Sequence, residues 1–312
     1  MTQQAHPESQ PLIPKRYHSP LRYPGGKARL AGFIKTVFRA NRLLDGVYAE
    51  PYAGGAAVAL ALLFGEYASR IYINDLDPAV YAFWHSVLHD TEALCRLVDD
   101  TPATPREWQR QRAVYENGPG ETTLRLGFSA FFLNRTNRSG IIGSGGMIGG
   151  KKQRGRWRLD ARYNQRDLAE RIARIARYRN RIHLSNFDAM DFLAHCATAL
   201  PERALLYLDP PYYTKGRQRL YANHYAANDH AVVADVLPML PFPWVVSYDD
   251  ASEIRRLYKG YRSLTYTLPY TAAERQHGAE VMFFSDQLLI PAEHRPSHDA
   301  IRRGRVATAS TR

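Results

Sequence analysis

Cysteine is nearly absent from this chain: Cys95 and Cys196 are the only two in 312 residues. Neither belongs to a CxxC pair or stands near a histidine cluster, which argues against a disulfide framework and a zinc site and for two buried structural cysteines. Long apolar runs are also missing. The longest covers 56–64, nine residues, against roughly 18 or more for a bilayer span. The first 14 residues are polar and contain prolines without an apolar stretch, so neither a secretory signal nor an anchor is expected and the cytoplasm is the default compartment. There is no GxGxxG after a strand and no GxxxxGK[ST], which argues against NAD and ATP.

Acidic residues are scarce in one place. The whole chain carries 42 Lys and Arg against 30 Asp and Glu, a net +12 with a pI near 9.7, and such a balance points to a polyanionic partner. Between Arg135 and Arg181 there are 14 Lys or Arg and three acids. A net +11 of the excess therefore sits in 47 residues.

Around that segment the pattern is strand and helix in alternation. Residues 47–50 read as a strand, 51–55 as a glycine-containing turn, 56–64 as an alanine-rich helix and 71–74 as a second strand, with Pro78 opening a helix that runs through Leu88. This is a βαβ unit. Apolar or β-branched runs at 181–184, 204–208, 244–248 and 281–284 continue a buried sheet. From 101 to 181 the sequence turns polar, basic and glycine-rich. Seven glycines in 139–155 predict a mobile loop. Asn164 with Asp167 predicts a helix start, followed by an apolar stripe of Leu168, Ile172 and Ile175. Arg171, Arg174, Arg177 and Arg181 fall on another face, open to nucleic-acid contact or to a solvated surface. The segments 1–16 and 292–312 read as disordered arms, the second one basic. The expectation is an α/β core at 17–100 and 182–291 interrupted by an insertion at 101–181.

The strongest chemical signal is the run 204–208 ending in Asp209-Pro210-Pro211-Tyr212. Ligands of open α/β sheets sit beyond the carboxyl ends of strands. Two prolines fix φ and remove two amide donors, leaving carbonyl acceptors and a carboxylate beside an aromatic ring. Asp209 and the Pro210 carbonyl suit the two hydrogens of an amino group on a flat ring, with Tyr212 stacked on its face. A proline-rich turn with a buried aspartate is the plain alternative. Upstream, Glu50-Pro51-Tyr52-Ala53-Gly54-Gly55 lets a ligand approach backbone at a helix N-terminus. Asp75, about 20 residues on at the end of the next strand, suits ribose hydroxyls, although a turn residue would look the same in isolation. Tyr23-Pro24-Gly25-Gly26-Lys27 offers an ammonium to a carboxylate. Asn186-Phe187-Asp188 offers an acceptor for an adenine amino group with a ring to pack against it.

These five elements, in the chain order 23–27, 50–55, 74–75, 186–188 and 209–212, resemble the Dam-type DNA adenine-N6 methyltransferase family, from about residue 21 to 291. The resemblance implies a Rossmann-like S-adenosylmethionine-dependent methyltransferase core with an inserted basic, mainly helical DNA-recognition domain, placed where the basic insertion falls. It implies that Lys27 meets the methionine carboxylate of the cofactor, Asp75 its ribose and Asp188 its adenine, with Tyr23, Glu50, Pro51, Tyr52, Gly54, Gly55 and Phe187 completing the pocket. Tyr52-Ala53-Gly54-Gly55 departs from the aromatic-x-Gly-x-Gly form more frequent in the family. Residues 131–135 resemble the start of the recognition region. Asn134, Arg135, Asn137 and Arg138 then suit base edges and Lys151, Lys152, Arg154 and Arg156 the phosphates, although a helix end with polar loop residues explains each of the first four as well. The expected reaction is methyl transfer to N6 of an adenine flipped out of double-stranded DNA, catalysed by Asp209, Pro210 and Tyr212. The activated sulfonium requires no metal. Cytosine-N4 methylation, RNA adenine methylation and a non-catalytic DNA-binding relative are the alternatives. A homodimer, a cognate restriction endonuclease and a nucleoid-associated or phage-encoded setting are left open.

Overall fold

Short β-branched runs spaced by helix-length segments can bury both sheet faces only between two helix layers. The protein's computed structural model describes residues 18–22, 27–213, 227–267, 279–293 and 295–296. Its strands are β1 (Gly46–Glu50), β2 (Ala68–Asn74), β3 (Ile182–Ser185), β4 (Ala204–Leu208), β5 (Trp244–Asp249), β6 (Arg262–Thr267) and β7 (Ala279–Phe284). They form one seven-stranded sheet in the order β3-β2-β1-β4-β5-β7-β6. β1 to β5 run parallel, and β7 is antiparallel to β5 and β6. This is the expected α/β class with a Rossmann-like core. The order reverses between β1 and β4, and a crevice opens at such a switch point beyond the carboxyl ends of the strands.

The helices are α1 (Ala31–Ala40), α2 (Ala57–Phe64), α3 (Pro78–His89), α4 (Thr91–Asp100), α5 (Pro105–Asn117), α6 (Thr123–Thr136), α7 (Gln165–Ala176), α8 (Ala189–Ala199), α9 (Ala227–Val236) and α10 (Ser252–Leu257). Local chemistry fixes their starts. Asp77 caps α3 by accepting from the Ala79 amide at 2.8 Å, with Pro78 at the first helical position, and Asn164 caps α7 through the Asp167 amide at 3.2 Å. One apolar cluster joins α1, α2 and α3 with α6 and α7, and a second joins α8, α9 and α10 to the sheet.

Residues 101–181, expected as an inserted domain, are mainly helical and share the first of these clusters rather than building their own. α6 is the reason. A Cβ at Gly127 would lie 2.5 Å from the Ala82 carbonyl oxygen, so only glycine lets α6 reach α3 backbone to backbone. Phe131 stacks on Phe83 one turn later at 5.3 Å.

Of the four arginines expected on one face, Arg177 is exposed and the other three are engaged inside the molecule. Arg171 pairs with Asp167 at 2.7 Å and donates to the Ser19 carbonyl. Arg174 lies over the Phe64 ring at 4.3 Å, and Arg181 pairs with Glu66 while donating to the Ala68 and Ser69 carbonyls. The glycine-rich segment follows a defined hydrogen-bonded course, with a bridge between Asn137 and Met147 and a bond from the Ile148 amide to Thr136. Cys196 is buried and Cys95 half-buried, both as free thiols. The two arms expected at 1–16 and 292–312 lie outside the described residues, apart from 292, 293, 295 and 296. Among the described residues no helix is long and apolar enough to cross a membrane.

Candidate active site

β1 and β4 are neighbours, so the turns that follow them, residues 50–55 and 209–212, meet at the switch point of the sheet. Asp209 leaves β4 with its carboxylate half-buried, and Pro210 and Tyr212 are buried. Asp209 Oδ1 lies 3.1 Å from Lys27 Nζ and accepts from Ser247 Oγ at 3.1 Å. Ser247, on β5, is in turn 2.8 Å from the Tyr207 hydroxyl. Burial raises the Asp209 carboxyl above the usual carboxylate range, and Lys27 is the main opposing influence, favouring the anion.

Lys27 connects three groups. Besides Asp209, its ammonium donates to Tyr212 Oη and to Glu280 Oε2, each at 2.8 Å, and it lies 5.2 Å from the centre of the Tyr212 ring. The Tyr212 hydroxyl donates to Glu280 Oε1 at 2.7 Å. Burial alone would lower the Lys27 pKa, but Asp209, the tyrosines 266 and 207 and Glu280 outweigh it and hold the ammonium well above its ordinary value. The cation expected to meet a cofactor carboxylate is here paired with Asp209 and Glu280. Glu280 and Ser247 are parts of the site that sequence reasoning did not find. Glu280 carried a legible signal, a carboxylate opening an otherwise apolar strand.

The other expected pocket residues form a second cluster at the ends of β1, β2 and β3. Gly54 takes a positive φ of 45°, and its amide donates to Asp75 Oδ2 at 2.8 Å while Asp75 Oδ1 accepts from the Asp77 amide at 3.0 Å. Burial, then the neighbouring Asp77, pushes Asp75 up to about 7. Asn74 ties the loops together: its amide donates to the carbonyls of Pro51 and Phe187, and its oxygen accepts from the Phe187 amide at 2.8 Å. Asn186 donates to the carbonyls of Asp75 and Leu76. Asp188 caps α8 through the Met190 amide, and Phe187 and Leu76 are both exposed. Glu50 is buried and accepts from the Tyr48 hydroxyl at 2.8 Å. Gly55 is buried, Tyr52 is half-buried, and Tyr23 lies outside the described residues.

The residues expected to touch DNA divide into two groups. Arg138, Lys151, Lys152, Arg154 and Arg156 are exposed. Asn134 and Asn137 have no exposed surface. Asn134 accepts from the Arg22 amide and donates to the Arg22 and Gly140 carbonyls, all at 2.7 to 2.8 Å. Asn137 donates to the carbonyls of Ile141 and Ile142 and accepts from Trp108 Nε1. Arg135 donates to the carbonyls of Arg162 and Pro20, and burial with the neighbouring arginines lowers its guanidinium to about 9. Asn134 and Asn137, which seemed suited to base edges, hold the turn after α6, because a glycine-rich chain supplies backbone groups that need partners, while Arg135 ties α6 to the segments around Pro20 and Arg162.

A model of the D12 class N6 adenine-specific DNA methyltransferase family matches residues 23–272. The chain belongs to this family. The methyltransferase is adenine-specific and acts on DNA, and its matched region contains the Asp209 tetrad, the Asp75 cluster and all of 101–181. Among solved structures it is similar to the rRNA methyltransferase aviRa from Streptomyces viridochromogenes, with 17% identity over 84% of this chain and 85% of that one and a TM-score of 0.34. It is also similar to protein LPL1258 from Legionella pneumophila, with 9% identity over 83% and 85% and a TM-score of 0.32. No curated protein matches the chain. The sheet order itself carries the fold assignment.

Proposed function

We propose that the enzyme transfers a methyl group from S-adenosylmethionine to N6 of an adenine rotated out of duplex DNA. The observation that carries this reading is Asp209 at the switch point, its Oδ1 held by the Lys27 ammonium and the Ser247 hydroxyl. Neither donor uses Oδ2, which remains to accept an amino proton.

An adenine amino nitrogen is a weak nucleophile because its lone pair is delocalised into the ring. Accepting its two hydrogens at Asp209 Oδ2 and the Pro210 carbonyl draws the nitrogen toward a tetrahedral shape, with the lone pair free to attack in line. Positioning of this kind contributes up to about 7 to 11 kcal/mol. Tyr212, pinned through its hydroxyl by Lys27 and Glu280, offers its ring as a fixed wall for the base.

The residues at the ends of β1 to β3 fit the cofactor. Exposed Leu76 and Phe187 stand on adjacent loops tied by Asn186, an apolar pair that suits an adenine ring, and Asp75 and Asp188 stand beside them as acceptors for ribose and adenine donors. The cofactor supplies an activated sulfonium methyl. Lys27 acts on Asp209 in this reading rather than on the methionine carboxylate. Lys151, Lys152, Arg154 and Arg156 supply phosphate contacts, so affinity falls steeply with salt. Rotation of the base costs a few kcal/mol.

The test is nucleoside mass spectrometry of DNA from methylation-deficient cells expressing the wild type or Asp209→Ala. N6-methyladenine with the wild type and none with a variant that still binds duplex DNA is expected. Methylcytosine, no modified base, or substantial turnover by Asp209→Ala overturns the reading.

A further inference from the structure

Trp157 stands apart from the other tryptophans. Its indole is 58% exposed, while Trp84 and Trp244 are 0% and 2% exposed. Leaving such a ring in water forfeits the burial that stabilises aromatic residues elsewhere in the core. The segment that presents it is anchored on both sides. Gln153 donates to the carbonyls of Ile148 and Gly150 and accepts from the Leu159 amide, and Leu159 is buried. Trp157 is thus held at the tip of a short span between fixed points.

The surroundings are cationic throughout. Lys151, Lys152, Arg154, Arg156 and Arg158 are exposed, and no acid occurs from 151 to 159. The guanidinium carbons of Arg156 and Arg162 lie 5.5 and 5.9 Å from the ring centre, which limits the orientations of the indole before any partner arrives. The glycine-rich chain leading to this tip is fastened to α5. Arg112 donates to the Gly143 carbonyl, α5 packs on α6 and α6 on α3, and α3 begins at Pro78, just after the end of β2. The segment therefore leaves from the side of the sheet that carries Asp75. A flat apolar ring inside a field of cations matches a polyanion with exposed π faces, which is nucleic acid.

We propose that Trp157 stacks into the duplex at the base step opened when the target adenine rotates out, filling the space the base leaves. This rests on the reading of the enzyme as acting on duplex DNA. Wedges of this kind compensate unstacking by new apolar contact, and the flanking cations hold the phosphates on either side. The ring is a positioning residue: it touches DNA but no reacting atom.

The test uses the full chain and short duplexes carrying the site mapped from the wild type's own methylation, with the target adenine either paired or mismatched. A mismatched adenine is already partly unstacked and needs less help to leave the helix. Trp157→Ala is expected to slow single-turnover methylation of the paired duplex about tenfold or more. The mismatched duplex should slow less than about threefold, with the salt dependence of binding unchanged and Trp157→Phe restoring most of the rate. Equal rates for Trp157→Ala and wild type on both duplexes overturn the proposal. Equal slowing on both overturns it as well, since that is the signature of general binding. A wild type that methylates no adenine in duplex DNA instead overturns the reading on which the proposal rests.

Discussion

Lys27 Nζ lies 2.8 Å from Glu280 Oε2, a side chain with no exposed surface. The same ammonium is 3.1 Å from Asp209, so one cation balances a buried and a half-buried carboxylate. Removing Glu280 moves the whole of that charge onto Asp209 and removes an anion that raises the Asp209 pKa. Asp209 then accepts an amino proton less readily. Glu280→Gln is expected to fold and to lose at least about tenfold in the rate of methyl transfer, a barrier increase of about 1.4 kcal/mol. Glu280→Ala also removes the oxygen that accepts from the Tyr212 hydroxyl, and is expected to cost about 3 to 5 kcal/mol of stability. Single-turnover kinetics and denaturant unfolding check the two. A Glu280→Gln enzyme with unchanged rate would show that Lys27 does not tune Asp209.

The amides and the cations of the basic segment are expected to separate by experiment. Asn134→Ala orphans the Arg22 amide and the Arg22 and Gly140 carbonyls, at about 1 to 3 kcal/mol for a buried group left unpaired. Stability should fall accordingly in urea unfolding. The exposed pair Arg154→Ala with Arg156→Ala should change stability by less than about 1 kcal/mol. It should instead reduce the slope of log affinity against log salt by roughly 0.9 for each phosphate that is no longer neutralised. An Asn134→Ala protein of wild-type stability, or an unchanged salt slope in the arginine variant, contradicts this division.

The difference between those two groups also marks what the sequence made legible. Six of the seven strands follow from apolar or β-branched runs, because strands buried on both faces must be apolar along their length. β6 does not, since Arg262, Ser263, Thr265 and Thr267 belong to an edge strand with little to bury. The tetrad at Asp209, the turn at Gly54 and Asp75 are readable because they follow strands in chain order. That Lys27, Glu280 and Ser247 meet is not, since these members lie 253 residues apart at the extreme and come together only when β7 inserts beside β5. For Asn134 and Asn137, residue type suggested a ligand while the glycine-rich turn beside them created the hydrogen-bonding demand they satisfy. Nothing in local spacing distinguishes those two uses of an amide.

Glu50 gives a prediction about pH. It is 4% exposed, and burial pushes its carboxyl up to about 8, the Tyr48 hydroxyl working against the shift and the charge of Asp209 with it. The folded state therefore holds this proton more tightly than the unfolded chain, whose glutamate titrates near 4.3. The stabilisation linked to the group is complete below the unfolded value and is lost as pH rises through about 8. Glu50→Gln fixes the neutral form and keeps an oxygen for the Tyr48 hydroxyl. Wild type and variant should thus unfold alike near pH 4, and the wild type should fall progressively behind at higher pH, levelling off only above about pH 8. Every pH unit that separates the folded from the unfolded titration corresponds to about 1.4 kcal/mol, so the gap is expected to reach a few kcal/mol. Asp75, pushed up to about 7, titrates in the same window in both proteins and cancels in the comparison. Thermal unfolding across this range decides it: parallel stability curves for the two proteins would mean that Glu50 is already ionised in the fold, and that the carboxylate finds compensation at the mouth of β1.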